Sequence, residues 1–130
     1  MIGVDTGVLI DLFRGNKKLT ALLSNLNEKA VLTRVSYLEL MFGIDPSEPK
    51  HKSEEEHFDN LFDEYELLEL DKESAKKSSS IFWFLKKQGK MIEQFDCVIA
   101  GILLSNGVNR IITRNAKHFV NIRGLDVISY

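Results

Sequence analysis

Short apolar runs alternate with amphipathic segments along the whole chain. Five runs have the length and composition of strands: Met1–Asp5, Ala30–Thr33, Leu67–Leu70, Arg110–Thr113 and Val127–Ser129. Between these runs, apolar residues recur at helical spacing. Strands that alternate with helices are typical of a parallel or mostly parallel sheet with helices on both faces. The sequence therefore predicts an α/β fold.

Capping and stop residues bound the predicted helices. Thr6, Ser36 and Asp71 stand where a side chain can cap the first turn of a helix, and Gly15 and Gly89 stand where a helix ends. The predicted helices are Gly7–Phe13, Lys17–Leu26, one from Ser36 to Gly43, Phe58–Tyr65, one from Asp71 to Gln88, and one from Phe95 to Asn106, followed by a helical turn at Asn115–Phe119.

The segment PSEPKHKSEEEH, residues 46–57, interrupts this pattern. It contains both prolines and is strongly polar. Turn-forming and charged residues without apolar periodicity are typical of a solvated connection. We therefore expect a flexible loop here.

Length, charge and cysteine content narrow the class of protein. The chain has 130 residues, 44% of them hydrophobic and 28% charged, so one domain is expected over residues 1–130. No apolar stretch reaches the roughly 18 residues that a membrane span requires. The single Cys97 excludes an internal disulfide, and the N-terminus lacks the features of a secretion signal, so we expect a cytoplasmic protein with no membrane partner. The net charge of −2 provides no global basic field, so nucleic-acid binding would depend on a local patch.

Three carboxylates interrupt the apolar patterns. Asp5 lies where the first predicted strand ends, Glu39 lies on the apolar face of its helix, and Asp96 lies in the apolar helix FDCVIAGILL. An ionised carboxylate taken out of water costs several kcal/mol unless it is paired, hydrogen-bonded or bound to a cation. Asn115 adds an amide two residues beyond the strand-like RIIT. Because ligands of open α/β sheets bind at the carboxyl ends of the strands, we expect these four side chains at one edge.

Each of these residues also has an ordinary interpretation. Asp5 can cap the first helix, Glu39 can reach solvent, Asp96 can pair with a lysine and Asn115 can cap a turn. Taken together, however, they form a cluster with oxygen ligands only. Such clusters suit hard cations, so the set predicts a site for Mg²⁺ or Mn²⁺.

Four motifs in a fixed order carry a family resemblance. They are VDTGVLID around Asp5, SYLEL around Glu39, FDCVIAGILL around Asp96 and ITRNAKHF around Asn115. On these motifs the chain resembles PIN-domain proteins of the VapC toxin type over essentially its whole length. The resemblance implies a PIN-like α/β/α sandwich with a mostly parallel sheet. It also implies a metal-dependent endoribonuclease that is commonly homodimeric and is held inactive by an antitoxin encoded with it.

The resemblance further implies roles for particular residues. The acidic cluster of the family falls on Asp5, Glu39 and Asp96, with Asn115 in the fourth place, as ligands of an Mg²⁺ or Mn²⁺ ion that activates water to attack an RNA phosphodiester. Beside this cluster, Thr6 is expected to orient the ligands. The expected substrate contacts are Thr113 and Arg114.

The chain departs from the family pattern close to this cluster. Gly7 stands where a serine is common, and Gln94, Asn115 and His118 are neutral where acids are frequent, which lowers the negative charge of the site. These changes leave open a catalytically weak or inactive PIN-like module that binds RNA or protein. A structure-specific DNA nuclease is a further alternative, but it is expected to need larger insertions than 130 residues allow.

Two surface features have both a functional and an ordinary interpretation. Basic residues flank two of the motifs and form either a phosphate-binding rim or ordinary surface charge; they are Lys86, Lys87, Lys90, Arg110, Arg114 and Lys117. The run IFWFL, Ile81–Leu85, is apolar all round its helix. It is therefore either deeply buried or part of a dimer or antitoxin surface.

Overall fold

The computed structural model describes all residues from Met1 to Tyr130. The strands are β1 (Ile2–Val4), β2 (Ala30–Thr33), β3 (Glu66–Leu68), β4 (Arg110–Ile112) and β5 (Asp126–Ile128). The helices are α1 (Thr6–Phe13), α2 (Lys17–Asn25), α3 (Arg34–Phe42), α4 (Pro49–Asp63), α5 (Lys72–Lys87) and α6 (Gln94–Ser105), and a 3₁₀ turn spans Ala116–His118.

The five strands form one fully parallel sheet in the order β3-β2-β1-β4-β5. The central strand β1 pairs with β2 and β4, and Gly3 is in register with both Val31 and Ile111. The carboxyl ends of these three strands therefore lie at the same edge of the sheet. This arrangement confirms the predicted α/β class and places the ends of three motif-bearing segments next to one another.

Alternate residues of the strands face two separate apolar clusters. Val31 and Ile111 belong to the cluster formed with α5 and α6, whereas their neighbours Leu32 and Ile112 belong to the cluster formed with α1, α2 and α4. This is the period of two expected of a strand that is buried on both faces. Both faces of the sheet are thus covered by helices. None of the helices combines the length and the apolar character needed to span a bilayer.

Helices α5 and α6 pack closely because Gly101 has no side chain. A Cβ atom at Gly101 would lie 2.8 Å from the backbone nitrogen of Ser78 and 2.9 Å from the carbonyl oxygen of Ser74. Within the run Ile81–Leu85, Ile81 and Leu85 are buried, while Trp83 is 50% exposed. The run therefore contributes to the core on one side and leaves an aromatic ring in solvent on the other.

The predicted loop at residues 46–57 is wrong, because most of it belongs to helix α4. Pro49 occupies the first turn of that helix, where its missing N–H is harmless. The Lys and Glu residues that made the segment polar also have high helix propensity. Phe58 and Phe62 then anchor the helix in the core. A high density of Lys and Glu residues is therefore compatible with a helix and does not by itself indicate a loop.

Two predicted helix caps are also wrong. Asp5, not Thr6, caps α1, since its carboxylate accepts a hydrogen bond from the Thr6 N–H and the helix begins one residue earlier than expected. Thr33, not Ser36, caps α3, because its hydroxyl accepts a hydrogen bond from the Ser36 N–H at 3.3 Å. Strand and helix follow each other without a loop in both cases. The cap residue is therefore the last residue of the extended segment.

Candidate active site

Asp5 is held at the carboxyl end of the central strand. One carboxylate oxygen accepts the Thr6 N–H at 2.8 Å, and the other accepts the Thr113 hydroxyl at 2.7 Å. The residue is only 6% exposed. These bonds join the end of β1 to the residue that follows β4. They also supply the ordinary N-cap role that the sequence left open.

Thr6 connects Asp5 to Glu39. Its hydroxyl lies 2.6 Å from Glu39 Oε1 and 3.0 Å from Ser36 Oγ. Because a hydroxyl has one hydrogen, we assign that hydrogen to the shorter contact with Glu39, and Ser36 then donates to Thr6. Burial raises the pKa of Glu39, the bond from Thr6 opposes this rise, and the charges of Asp5 and Glu93 add to it. Thr6 thus fixes the orientation of the Glu39 carboxylate through a hydrogen bond.

Asp96 brings the third carboxylate from the first turn of α6. Its pKa is raised to about 6, first by burial and then by the charges of Asp5 and Glu39, while His118 opposes the rise. The mutual effects on pKa place the three carboxylates within electrostatic reach of one another. His118 Nδ1 lies 3.0 Å from Asp96 Oδ2, so this histidine is a hydrogen-bonding partner of the cluster.

Asn115 lies at the rim of this cluster. Its backbone N–H donates to the Thr113 hydroxyl at 3.0 Å, while its side chain is exposed and makes no capping bond to the 3₁₀ turn. Thr113 therefore accepts from Asn115 and donates to Asp5. The amide of Asn115 remains free to contact a ligand, but it does not touch the carboxylates.

The oxygen donors of this cluster suit a hard divalent cation, although they are engaged with other partners. No group of three His, Cys, Asp or Glu side chains is arranged to hold a metal ion. Asp5 and Glu39 are hydrogen-bonded to threonine, and Asp96 contacts His118. The raised pKa values of Glu39 and Asp96 reflect burial and repulsion that a cation would relieve. The donor chemistry therefore fits Mg²⁺ or Mn²⁺, since each carboxylate has lone pairs beyond those used by these hydrogen bonds.

A second polar group beside the cluster was missed from the sequence. Asp11 is only 8% exposed, and its carboxylate accepts from Arg114 Nη1 at 2.9 Å and from the Tyr130 hydroxyl at 2.5 Å. The sequence did contain a signal for Asp11, because this carboxylate interrupts the apolar residues of α1. Its partners, however, are more than 100 residues away along the chain. Glu93, which raises the pKa of Glu39, was missed as well.

The basic residues considered for a rim divide between the site and other surfaces. Arg114 follows Thr113, which donates to Asp5, and its guanidinium lies next to Gly7 in the first turn of α1. Arg110 begins β4 at the opposite edge of the sheet and pairs with Glu28, so it takes no part in the site. Lys86 lies 4.8 Å from the centre of the Trp83 ring on α5. Lys117, by contrast, lines a pocket together with Glu93 and His118, so it lies on the side of the candidate site.

The fold and the acidic edge define the class of protein. Residues 2–125 match the family model described as the PIN domain, and the chain belongs to that family. It is similar to Ribonuclease VapC3 of Methanocaldococcus jannaschii, with 33% identity over 99 residues that cover 76% of this chain and 94% of the relative.

Solved structures agree with this assignment. The chain is similar to VapBC-1 from nontypeable Haemophilus influenzae, with a TM-score of 0.84, 27% identity and coverage of 99% of this chain and 98% of the other. A toxin-antitoxin complex from Klebsiella pneumoniae has the same fold, with a TM-score of 0.77, 22% identity and coverage of 98% and 96%.

Proposed function

We propose that this protein is a metal-dependent endoribonuclease and the toxin of a toxin-antitoxin pair. The observation that carries the proposal is the convergence of Asp5, Glu39 and Asp96, from three separate elements, at the carboxyl edge of a parallel sheet. Each of these side chains is at least partly buried, and their charges raise the pKa values of Glu39 and Asp96. Repulsion among buried carboxylates lowers the stability of the fold, so their clustering favours a functional role over a structural one. The relative from M. jannaschii named as a ribonuclease supports the same activity.

The catalytic roles follow from the positions of the side chains. Asp5, Glu39 and Asp96 would hold Mg²⁺ or Mn²⁺, with the Asn115 amide as a neutral contact at the rim. A bound divalent ion lowers the pKa of a coordinated water and stabilises charge on the phosphate. Glu39, held by Thr6, would bind the ion directly, position the attacking water or accept a proton from it.

Threonine and arginine side chains support these acids. Thr113 holds Asp5, and Thr6 holds Glu39, so that both carboxylates keep one orientation. Arg114, which follows Thr113 and pairs with Asp11, would supply positive charge for the RNA phosphate. The substrate is RNA in single-stranded or loop form.

The direct test is cleavage of an RNA pool by the purified protein with and without divalent ions. We expect cleavage with Mg²⁺ or Mn²⁺ and none in EDTA. Asp5→Asn should abolish cleavage, and Asp126→Asn is the matched control, because Asp126 is exposed at the other end of a strand. Cleavage that persists in EDTA, after trace metal and contaminating nucleases are removed, would refute a metal-dependent mechanism.

We also propose an antitoxin partner, a homodimer and a cytoplasmic location. The K. pneumoniae structure is a toxin-antitoxin complex, which supports an antitoxin for this chain. The exposed Trp83 supports self-association. The single free Cys97 is consistent with a reducing compartment.

A catalytically inactive RNA- or protein-binding module is the second candidate. The neutral Asn115 and the absence of a preformed three-residue metal group favour it. A thermal melt with Mg²⁺ or Mn²⁺ separates the two functions, because an ion that binds the native state raises the melting temperature. No shift with either ion, together with no cleavage of any RNA, would favour the module.

A further inference from the structure

Asp11 fixes two residues that belong to distant parts of the chain. It lies in the second turn of α1, and its two carboxylate oxygens are used by different donors. Arg114 Nη1 donates to one oxygen at 2.9 Å, and the Tyr130 hydroxyl donates to the other at 2.5 Å. The carboxylate side chain is 11% exposed. A buried, ionised Asp with both oxygens satisfied is a rigid anchor for its partners.

The guanidinium of Arg114 lies against the first turn of α1 because Gly7 leaves room for it. A Cβ atom at Gly7 would lie 2.8 Å from Arg114 Nε and 3.4 Å from Cζ. Any other residue at this position would push the guanidinium away from the helix. Gly7 is two residues from Asp5, and Arg114 directly follows Thr113, the residue that donates to Asp5. The guanidinium is therefore adjacent to the candidate active site.

Most of the donors of Arg114 are free. An arginine has five N–H groups in a planar fork, and within the chain only Nη1 makes a hydrogen bond. The side chain is 41% exposed. Such a geometry leaves donors for a second acceptor, since Asp11 holds Nη1 and the remaining N–H groups, here called the free edge, have no partner within the chain. Phosphate oxygens are the acceptors that match such free guanidinium N–H groups, and an RNA substrate supplies them along its backbone.

We propose that Asp11 and Tyr130 are positioning residues that hold Arg114 over Gly7, where its free edge binds a phosphate of the RNA backbone next to the phosphodiester that is cleaved. The inference rests on the proposed function, because it takes RNA as the substrate. It adds the device that fixes the arginine in place. A contact that served only to hold the C-terminal Tyr130 against α1 would need neither an exposed guanidinium nor a glycine next to it.

The test measures binding of a short, mixed-sequence, single-stranded RNA oligonucleotide by fluorescence anisotropy at several salt concentrations. All variants are made in an Asp96→Asn background with Mg²⁺ present, so that cleavage does not interfere. Each phosphate contact on a single strand contributes about 0.7 to the slope of log affinity against log salt. Arg114→Gln should therefore lower that slope by about 0.7 and weaken binding about fivefold. The glutamine amide still offers Asp11 a donor, which protects the fold.

Arg110→Gln is the matched control. Arg110 is at the other end of β4, is 37% exposed and is also paired with a carboxylate, that of Glu28. We expect its loss to leave both the affinity and the slope close to those of the background protein. Equal effects of the two substitutions would overturn the inference, because Arg114 would then act only as general charge. No binding of the oligonucleotide by the background protein would overturn it as well.

Two further variants test positioning itself. Gly7→Ala should weaken RNA binding about threefold by displacing the guanidinium. Its thermal stability should change little, because the helix propensity of alanine offsets the weakened bond between Arg114 and Asp11. Tyr130→Phe should weaken binding by a similar factor without changing the salt slope, since the charge remains and only its orientation is lost. If either variant changes the melting temperature and leaves the RNA affinity unchanged, Asp11 and its two partners only stabilise the fold, and the inference is wrong.

Failure of the inference and failure of the proposed function remain separate. The proposed function is read from metal-dependent cleavage by the parent chain. A parent that cleaves no RNA, in a series where Arg114 still determines the slope, would refute the nuclease and support the phosphate site. A parent that cleaves RNA with no dependence of binding on Arg114 would do the reverse.

Discussion

Asp96→Asn separates a metal ligand from a structural residue. The substitution keeps the shape of the side chain and removes its charge. The pKa of Asp96 is about 6 instead of the ordinary 3.8, chiefly because of burial and the neighbouring Asp5. At 1.36 kcal/mol for each pK unit, keeping this carboxylate ionised above pH 7 costs the folded protein about 3 kcal/mol.

The stability gain is smaller than that figure. The contact with His118 is already included in the pKa of about 6. The asparagine, however, buries an NH₂ group where the carboxylate had an acceptor oxygen, and a donor without a partner costs about 1–2 kcal/mol. We therefore expect the metal-free variant to be more stable than the parent by about 1–2 kcal/mol at pH 8, or about 3–8 °C in melting temperature. Loss of a charged ligand of the ion should lower RNA cleavage by on the order of a hundredfold or more.

The gain has a defined dependence on pH. Because the folded-state pKa is raised, the folded parent binds more protons than the unfolded chain between about pH 4 and pH 6. Its stability therefore increases as the pH falls through 6. The advantage of Asp96→Asn is complete above pH 7 and decreases as the pH falls below 6. It should disappear at about pH 5, where the remaining cost of the ionised carboxylate equals the constant cost of the asparagine.

The assay is chemical denaturation without metal at pH 8, 6 and 4.5, paired with RNA cleavage per folded molecule. Asp126→Asn, an exposed carboxylate, should change stability by less than about 0.5 kcal/mol at each pH. Suppose instead that Asp96→Asn destabilises the metal-free fold by several kcal/mol at pH 8 and leaves cleavage unchanged. Asp96 would then be structural, and the nuclease assignment would lose its main support.

Four other substitutions test the site and the packing. Asn115→Asp should tighten Mg²⁺ or Mn²⁺ binding measured by calorimetry and lower the metal-free melting temperature; an unchanged affinity would remove Asn115 from the metal site. Thr113→Val leaves an oxygen of Asp5 and the N–H of Asn115 without their partner, so the free energy of unfolding should fall by about 1–3 kcal/mol, and a change below 0.5 kcal/mol would contradict the hydrogen-bond argument. Gly101→Ala places a Cβ 2.8 Å from a backbone nitrogen of α5, so about 1–3 kcal/mol of stability should be lost, whereas a gain would mean that α5 and α6 separate easily. Trp83→Glu should weaken a dimer in analytical sedimentation, and a parent that is strictly monomeric at high micromolar concentration would count against self-association.

Patterns within one segment were sufficient for most of the fold. The short apolar run Ala30–Thr33 and the helical spacing from Phe95 each reflect burial of the segment itself, so the sequence predicts the element without knowledge of its neighbours. Asp71 was a correct cap because its partner, Ser74, is three residues away in the chain. The parallel arrangement followed from the alternation of these elements.

The error at residues 46–57 arises because this part of the chain has no buried apolar face of its own. Helix α4 is anchored at its C-terminal end by Phe58 and Phe62, and its first two turns have no buried apolar residue. The helix is stabilised there by the helix propensity of its residues and by the packing of its last turns on the core. Apolar periodicity reports neither contribution.

The candidate site divides along the same line. The sequence alone determined that Asp5, Glu39 and Asp96 interrupt apolar faces, because an unpaired carboxylate in such a place is costly in any fold. Only the tertiary structure decided how each one is held, since Thr113 reaches Asp5 across 108 positions and Tyr130 reaches Asp11 across 119. No local pattern records such a partner. The bond exists because β4 and β5 end at the same edge of a parallel sheet as β1, and that coincidence belongs to the fold.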